Sequence, residues 1–318
     1  MKCSLTILIP TYNRWPILVE NVKLLEQIRQ KSELFEIEIL IVDNHSYALD
    51  QLRGVELNFP NIKFIQNVSN MGAPFSIAKA LTQISTEYVM VLGDDDFLDF
   101  SIFCEVLTNL QASACDVLLF SETSNTKQLT EITDIDQHMA EHPRPNEYIF
   151  LSTTIYRTSF LVRHLEALGH GLNAGIPLTL LSCAHNHSIV RYDVSPFLKR
   201  HVNQDEENEW HPIEVYIDSI FDYIWNYRVI SKFDARLKIA QNLRKNWLND
   251  RILIWSILRS TEKQKFTTKF LLYRILGLLF FIDGPIKFWT ITMPLVTITI
   301  ILRRQLNGIR LHYQKKGS

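Results

Sequence analysis

In the first 125 residues short apolar runs alternate with stretches of helical periodicity, which confines the chain to one class of architecture. Leu5–Ile9, Ile37–Val42, Ile62–Ile65, Tyr88–Leu92 and Val117–Phe120 are runs rich in β-branched and aliphatic residues. Such unbroken runs suit strands buried on both faces of a parallel sheet. Between them, residues 16–31 carry Leu18, Val22, Leu25 and Ile28 at helical spacing, and residues 74–85 carry Ile77, Ala80, Leu81 and Ile84. A β-α-β-α series of this kind predicts an α/β fold, a doubly wound and mainly parallel sheet flanked by helices. With 47% hydrophobic residues and only 10 Gly and 11 Pro in 318, the chain can bury a sizeable core, and disordered, collagen-like or low-complexity classes are excluded.

Beyond residue 125 the pattern changes. Residues 121–147 are polar and read as a loop or lid. Residues 148–200 are mixed, with helices expected near 158–168 and 176–185 and a strand at 188–193. Residues 212–260 are helical in period, with Trp225, Trp247 and Trp255 read as packing residues rather than a base-stacking platform, so no nucleic-acid partner is expected. Cys3, Cys104, Cys115 and Cys183 have no C-x-x-C spacing and read as reduced, packed thiols. The N-terminal apolar run stops at Pro10, too short for a signal-peptide core, and a cytoplasmic location is expected.

In an open α/β sheet ligands bind beyond the carboxyl ends of the strands, so the residues following each apolar run carry the chemistry. These are Pro10-Thr11-Tyr12-Asn13-Arg14, Asp43-Asn44-His45-Ser46, Asn67 to Gly72, and Gly93-Asp94-Asp95-Asp96. The three consecutive aspartates repel one another at the end of a buried strand unless a cation compensates them. Hard divalent ions such as Mn²⁺ or Mg²⁺ take oxygen ligands and bridge carboxylates to phosphates. Alone, the triplet could equally be a solvated acidic turn, or Asp96 the N-cap of a following helix; its company on the same rim favours the metal reading. No G-x-G-x-x-G follows the first strand and no P-loop is present, which disfavours a Rossmann dinucleotide site.

In order and spacing, LTILIPTYNR, IEILIVDNHS, Asn70-Met71-Gly72 and TEYVMVLGDDDFL resemble the family 2 glycosyltransferases of the GT-A fold, among them bacterial surface-polysaccharide and O-antigen sugar transferases. The resemblance implies a nucleotide-sugar transferase domain over 1–205, usually inverting, with Mn²⁺ or Mg²⁺ as cofactor. It further implies that Pro10, Thr11, Tyr12, Arg14, Asp43, Asn44, Gly72, Asp94 and Asp95 contact the nucleotide, with Asp95 and Asp96 facing the ribose and the metal-diphosphate. Asp96, then Asp94, are the metal candidates.

The chain departs from the family pattern in several places. Gly93 stands where a carboxylate commonly precedes the last two aspartates. Asn44 replaces a common second aspartate; because an amide donates as well as accepts, a pyrimidine other than uracil is expected to be permitted. The Arg-Asn pair of the next helix is replaced near Ile77-Ala78, leaving Lys79 as a candidate diphosphate contact. The usual Glu-Asp base signature is missing from LNAGIPLT, so His170, Asp193, and Asp205 or Glu206 remain as candidates, with Asp205 preferred.

The net charge of −1 conceals an asymmetry: residues 262–318 carry ten Lys and Arg against two acids, a net +8, and residues 1–261 carry −9. Two apolar segments within 270–302, joined by Asp283-Gly284-Pro285, are flanked by Arg303, Arg304, Lys315 and Lys316. The longer one spans roughly 22 Å as a helix, short of the ~30 Å hydrocarbon core. A basic, apolar tail over 266–318, following a helical extension over 206–265, is therefore expected to lie on the inner face of the membrane as a peripheral or monotopic anchor. That location suggests a glycan or lipid-linked acceptor. The competing readings are a soluble homo-oligomer with the tail as subunit interface, and a non-catalytic scaffold.

Overall fold

The computed structural model describes residues 3–32, 35–47, 59–121, 126–135, 137–138, 151–165, 180–181, 183–184 and 186–200. The extension at 206–265, the tail at 266–318 and the base candidates His170, Asp205 and Glu206 lie outside the described residues.

The described chain runs β1 (Cys3–Thr11), α1 (Trp15–Lys31), β2 (Phe35–Asp43), β3 (Ile62–Gln66), α2 (Ala73–Leu81), β4 (Tyr88–Val91), β5 (Asp96–Leu98), α3 (Phe100–Ser113), β6 (Val117–Phe120), β7 (Leu129–Ile132), a 3₁₀ turn (Leu151–Thr153), β8 (Thr154–Arg157), α4 (Thr158–Arg163), β9 (Ile189–Tyr192) and β10 (Phe197–Arg200). Its main sheet has the strand order β3-β2-β1-β4-β8-β6-β9-β7. Strands β3, β2, β1 and β4 are parallel, as are β6 and β9; β8 runs antiparallel between β4 and β6, and β7 antiparallel beside β9. The mainly parallel α/β sheet expected from the sequence is present.

Apolar side chains alternate between the two faces of the sheet as the period of two requires. From β1, Leu5, Ile7 and Ile9 pack with Trp15, Leu18, Val22, Leu25 and Ile28 of α1 and with Phe103, Val106, Leu107 and Leu110 of α3. Leu8 faces the other way, with Ile77, Ala80 and Leu81 of α2 and Phe160 and Leu161 of α4. Each such fully buried side chain contributes about 2 kcal/mol from removal of apolar surface from water. Pro16, in the first turn of α1, starts that helix without sacrificing a hydrogen bond.

Three local expectations need correction. The polar stretch 121–147 contains strand β7, which the pattern hides because Leu129, Thr130 and Glu131 are exposed at the sheet edge and only Ile132 is buried. The cap of α3 is Asp99, whose carboxylate accepts from the Ile102 amide at 2.9 Å, not Asp96. Helix α2 ends at Leu81, short of residue 85.

Strand register fixes the rim. Thr11 pairs with Asp43 and Asp43 with Gln66, so β1, β2 and β3 end at one level. The ladder continues past that level, with Asn44 N–H donating to Thr11 O at 2.9 Å and Asn67 N–H to Asp43 O at 2.8 Å. Beside them, Leu92 N–H donates to Leu8 O at 2.8 Å and leads directly into the acid turn.

Candidate active site

The acid turn closes on itself, with Asp96 N–H donating to Gly93 O at 3.1 Å. Its first carboxylate, Asp94, is only 4% exposed. Thr11 Oγ1 donates to Asp94 Oδ2 at 2.8 Å, and Arg14 Nη1 to Asp94 Oδ1 at 2.6 Å. The other arm of the same guanidinium, Nη2, reaches Asp95 Oδ2 at 2.6 Å. Burial opposes ionisation of Asp94 and the Arg14 charge favours it; burial wins and pushes the carboxyl up to about 7. Burial likewise acts to lower the pKa of Arg14, but Asp94 and Asp95 outweigh it and the guanidinium is held more firmly protonated.

Asp95 and Asp96 converge over Gly93. A β-carbon at Gly93 would lie 2.9 Å from Asp96 Oδ2 and 3.2 Å from Asp95 Oδ1, so the missing side chain leaves room for two carboxylate oxygens. Ser152 Oγ donates to Asp96 Oδ2 and accepts from Gly93 N–H at 2.8 Å. From the opposite side, the fully buried Asn21 of α1 points Nδ2 at the carbonyls of Gly93, Asp94 and Asp96, at 3.4, 3.3 and 3.0 Å. Sequence reading missed both residues. Asn21 left a signal, a polar residue on the buried stripe between Leu18 and Val22, whereas Ser152 left none.

The nucleoside-side candidates form a second network. Asp43, with no exposed surface, accepts from the Ser46 amide at 3.0 Å, from Ser46 Oγ, and from Gln66 Nε2 at 3.2 Å. Asn44 donates to Asn70 Oδ1 at 2.6 Å and accepts from Met71 N–H at 2.8 Å and from Asn67 Nδ2 at 3.2 Å. Both side chains thus brace the loops after β2 and β3 in this conformation. Gly72, at φ +80°, turns the chain into α2 in a conformation that L side chains rarely adopt. Lys79 reaches Asn67 Oδ1 at 3.0 Å.

Ser46 Oγ also accepts from Asn13 N–H at 2.7 Å, and Asn13 Oδ1 accepts from Tyr47 N–H at 3.0 Å. These bonds hold Tyr12 beside the exposed Tyr47, rings 6.2 Å apart and tilted 58°. Tyr47 is a further rim residue that the sequence reading passed over. Pro10 sits in β1 opposite Val42. Contacts therefore join Thr11, Arg14, Asp94 and Asp95 into one cluster and Asp43, Asn44, Gly72 and Lys79 into another through Asn67 and Asn70. Asp193 stands apart: it follows β9, three strands from β4, with its carboxylate 2.7 Å from Arg191 Nε.

Residues 6–170 match the family model described as glycosyl transferase family 2, which is more than half of the chain. The chain belongs to glycosyl transferase family 2. It is a glycosyltransferase with a nucleotide-sugar donor. No curated protein matches its sequence. Among solved structures, S. aureus TarS residues 1–349 is similar at 18% identity and TM-score 0.53, over 79% of this chain and 73% of TarS 1–349. The same TarS fragment in complex with UDP-GlcNAc gives a TM-score of 0.55 at 18% identity, over 79% and 74%. The mannosyltransferase PcManGT from Pyrobaculum calidifontis, in complex with GDP-Man and Mn²⁺, gives 0.53 at 11% identity, over 96% of this chain and 88% of its own. These likenesses establish the GT-A fold.

Among the described residues no group of three or more His, Cys, Asp or Glu side chains is arranged to hold a metal. Two hard carboxylate donors over Gly93 do suit Mn²⁺ or Mg²⁺, ions that keep water and substrate phosphate for their remaining positions. Nor is any helix among the described residues long and apolar enough to cross a membrane.

Proposed function

We propose that this glycosyltransferase moves a sugar from a nucleotide-diphosphate donor to a lipid-linked or surface-polysaccharide acceptor, with Mn²⁺ or Mg²⁺ and with inversion at the anomeric carbon. The observation that carries the donor side is the pair of carboxylate oxygens, Asp95 Oδ1 and Asp96 Oδ2, gathered over the side-chain-free Gly93 at the rim of the parallel strands. Asp96 and Asp95 would hold the metal. When bound, it supplies Lewis-acid neutralisation of the departing diphosphate. Asp94, buried and accepting from Thr11 and Arg14, is assigned as the brace of Arg14 and as the second-choice ligand. Arg14 brings a fixed positive charge to the same rim, where the diphosphate would lie. Tyr12, with Pro10 and Thr11 before it, forms the nucleoside wall, and Asp43, Asn44 and Gly72 set the shape of the loops behind it. Lys79 braces Asn67 in that assignment.

Transfer also requires a base to take the proton of the acceptor hydroxyl as it attacks from the face opposite the leaving group. One displacement inverts the configuration. Asp205 is assigned this role, with His170 as second choice. Loss of turnover in Asp205→Asn with retained donor binding would support the assignment; full activity would move it to His170. The UDP-GlcNAc bound by TarS and the GDP-Man and Mn²⁺ bound by PcManGT support the donor class. The acceptor class follows from the basic, apolar tail and from the inner-membrane location inferred from it.

A panel of nucleotide-sugars, scored for metal-dependent release of nucleotide diphosphate, tests the reaction and identifies the donor. Release that needs Mn²⁺ or Mg²⁺ and is lost in Asp96→Ala is expected. Release by no donor, or release indifferent to Asp96→Ala, would refute the reading. Sedimentation of the full chain with vesicles of anionic but not zwitterionic lipid tests the location; a chain that ignores both is not an anionic-surface anchor.

A further inference from the structure

We propose that Ser152 and Asn21 are positioning residues that clamp the acid turn from its two sides and fix where Asp96 presents its carboxylate. This rests on the reading above that Asp96 faces the metal and diphosphate, and adds the residues that aim it.

Four residues in a tight turn carry three carboxylates whose mutual repulsion favours splaying them apart. Something must hold the turn in one shape for two of those carboxylates to converge over Gly93. Asn21 acts on the backbone: its single amide group faces the carbonyls of Gly93, Asp94 and Asp96 together, at 3.4, 3.3 and 3.0 Å. With those carbonyls held on the α1 side, Asp95 Oδ1 and Asp96 Oδ2 come together over Gly93, while Asp94 stays buried against Thr11 and Arg14. Asn21 is fully buried on a helix whose neighbouring stripe is apolar, so its position is set by core packing and does not adapt to the turn.

Ser152 acts on the side chain. A hydroxyl has one proton to give and lone pairs to accept with. Here the proton goes to Asp96 Oδ2, and the oxygen receives the amide of Gly93 at 2.8 Å. One oxygen atom, 1% exposed as part of Ser152, thereby ties the first residue of the turn to the carboxylate of the last. Because Ser152 lies in the 3₁₀ turn Leu151–Thr153 that runs straight into β8, which is hydrogen-bonded between β4 and β6, it is anchored to the strand the turn follows. The hydrogen bond also directs one Asp96 oxygen, which is how partners of metal-ligating carboxylates set ligand orientation.

Loss of such a partner lowers metal affinity by roughly 10- to 100-fold. The experiment is titration of Mn²⁺ into the full-length protein in the presence of UDP, and separately of CDP and of GDP, followed by electron paramagnetic resonance. Wild type, Asp96→Asn, Ser152→Ala, Ser152→Thr, Asn21→Ala and Ile155→Val are compared. Ile155→Val removes one buried methylene from β8 without touching the turn, and reports what loosening that strand does by itself. The expected result is about 10-fold or greater loss of Mn²⁺-nucleotide affinity and a changed Mn²⁺ spectrum in Ser152→Ala, recovery in Ser152→Thr, and no change in Ile155→Val. Asn21→Ala is expected to resemble Ser152→Ala. If Asn21→Ala does not fold, Ser152→Ala and its threonine rescue still decide the matter. Binding lost in Asp96→Asn but unchanged in Ser152→Ala would overturn the clamp and leave the role of Asp96 standing. Binding with none of the three nucleotides, or binding indifferent to Asp96→Asn, would overturn both.

Discussion

Asp94 makes a quantitative case that can be decided by stability alone. The carboxyl is buried and raised to about 7, against an ordinary value of 3.8. Between those two values the unfolded chain has released the proton and the folded chain has not. The folded state then binds more protons, so stability falls as pH rises, and the fall levels off once pH passes the folded value. At ~1.4 kcal/mol per pH unit, a displacement of about three units corresponds to roughly 4 kcal/mol in total, of which roughly 2 to 3 kcal/mol falls between pH 5 and pH 8. Asp94→Asn keeps the shape and removes the titration. Its single amide oxygen can accept from Thr11 or from Arg14 but not from both in the native way, a pH-independent cost of about 1 kcal/mol. The assay is urea unfolding of both proteins in EDTA at pH 5, 6, 7 and 8. The difference in unfolding free energy should move toward the variant by roughly 2 to 3 kcal/mol across that range, about 1 M in relative urea midpoint at an m-value near 2 to 3 kcal/mol/M. Parallel curves, with a difference constant to within about 0.5 kcal/mol, would refute the reasoning. They would mean that Arg14 at 2.6 Å and Thr11 at 2.8 Å keep Asp94 ionised despite its burial.

Three further substitutions follow from the geometry. Gly93→Ala puts a methyl 2.9 Å from Asp96 Oδ2 and 3.2 Å from Asp95 Oδ1, and is expected to weaken Mn²⁺-dependent nucleotide binding at least ~10-fold in calorimetry while circular dichroism stays native. Ala114→Gly relieves a left-handed residue (φ 47°) at the exposed end of α3 and should raise stability by about 0.5 to 1 kcal/mol in urea titration, since glycine takes that conformation without a β-carbon clash. Arg157 sits at the opposite end of β4 from the acid turn, 2.7 Å from Glu87, 3.2 Å from Asp116 and 2.8 Å from the Tyr88 hydroxyl. Arg157→Met should cost roughly 2 kcal/mol of stability, less than a fully buried pair because a quarter of the side chain is exposed, and leave turnover per folded molecule unchanged.

What the sequence made legible was whatever repeats or stands consecutively. The runs LTILI, IEILIV and YVMVL were buried on both faces, and such runs are read without knowing their partners. Strand β7 was illegible for the complementary reason: three of its four residues are exposed, so its pairing with β9 left no apolar trace. In the site, the residues after each strand were readable because a parallel sheet brings carboxyl ends to one rim. Their pairings were not. Arg14 lies 80 residues from Asp94, and Ser152 lies 56 from Asp96. Nothing local in either stretch announces the contact.

Those long-range pairings change what the acid triplet means. As a sequence, three aspartates in a row invite the inference that all three are held by one cation. In the fold they have different partners. Asp94 is buried and accepts from Arg14 and Thr11, Asp95 accepts from the same guanidinium through Oδ2, and Asp96 accepts from Ser152. That division also accounts for Gly93, where the family commonly carries a carboxylate. The oxygens of Asp95 and Asp96 come so close to its α-carbon that even a methyl group would contact both. A fourth carboxylate at that point would fill the space into which the other two converge. Glycine at this position is therefore a condition of the approach of Asp95 Oδ1 and Asp96 Oδ2, the pair to which the proposed function gives the metal.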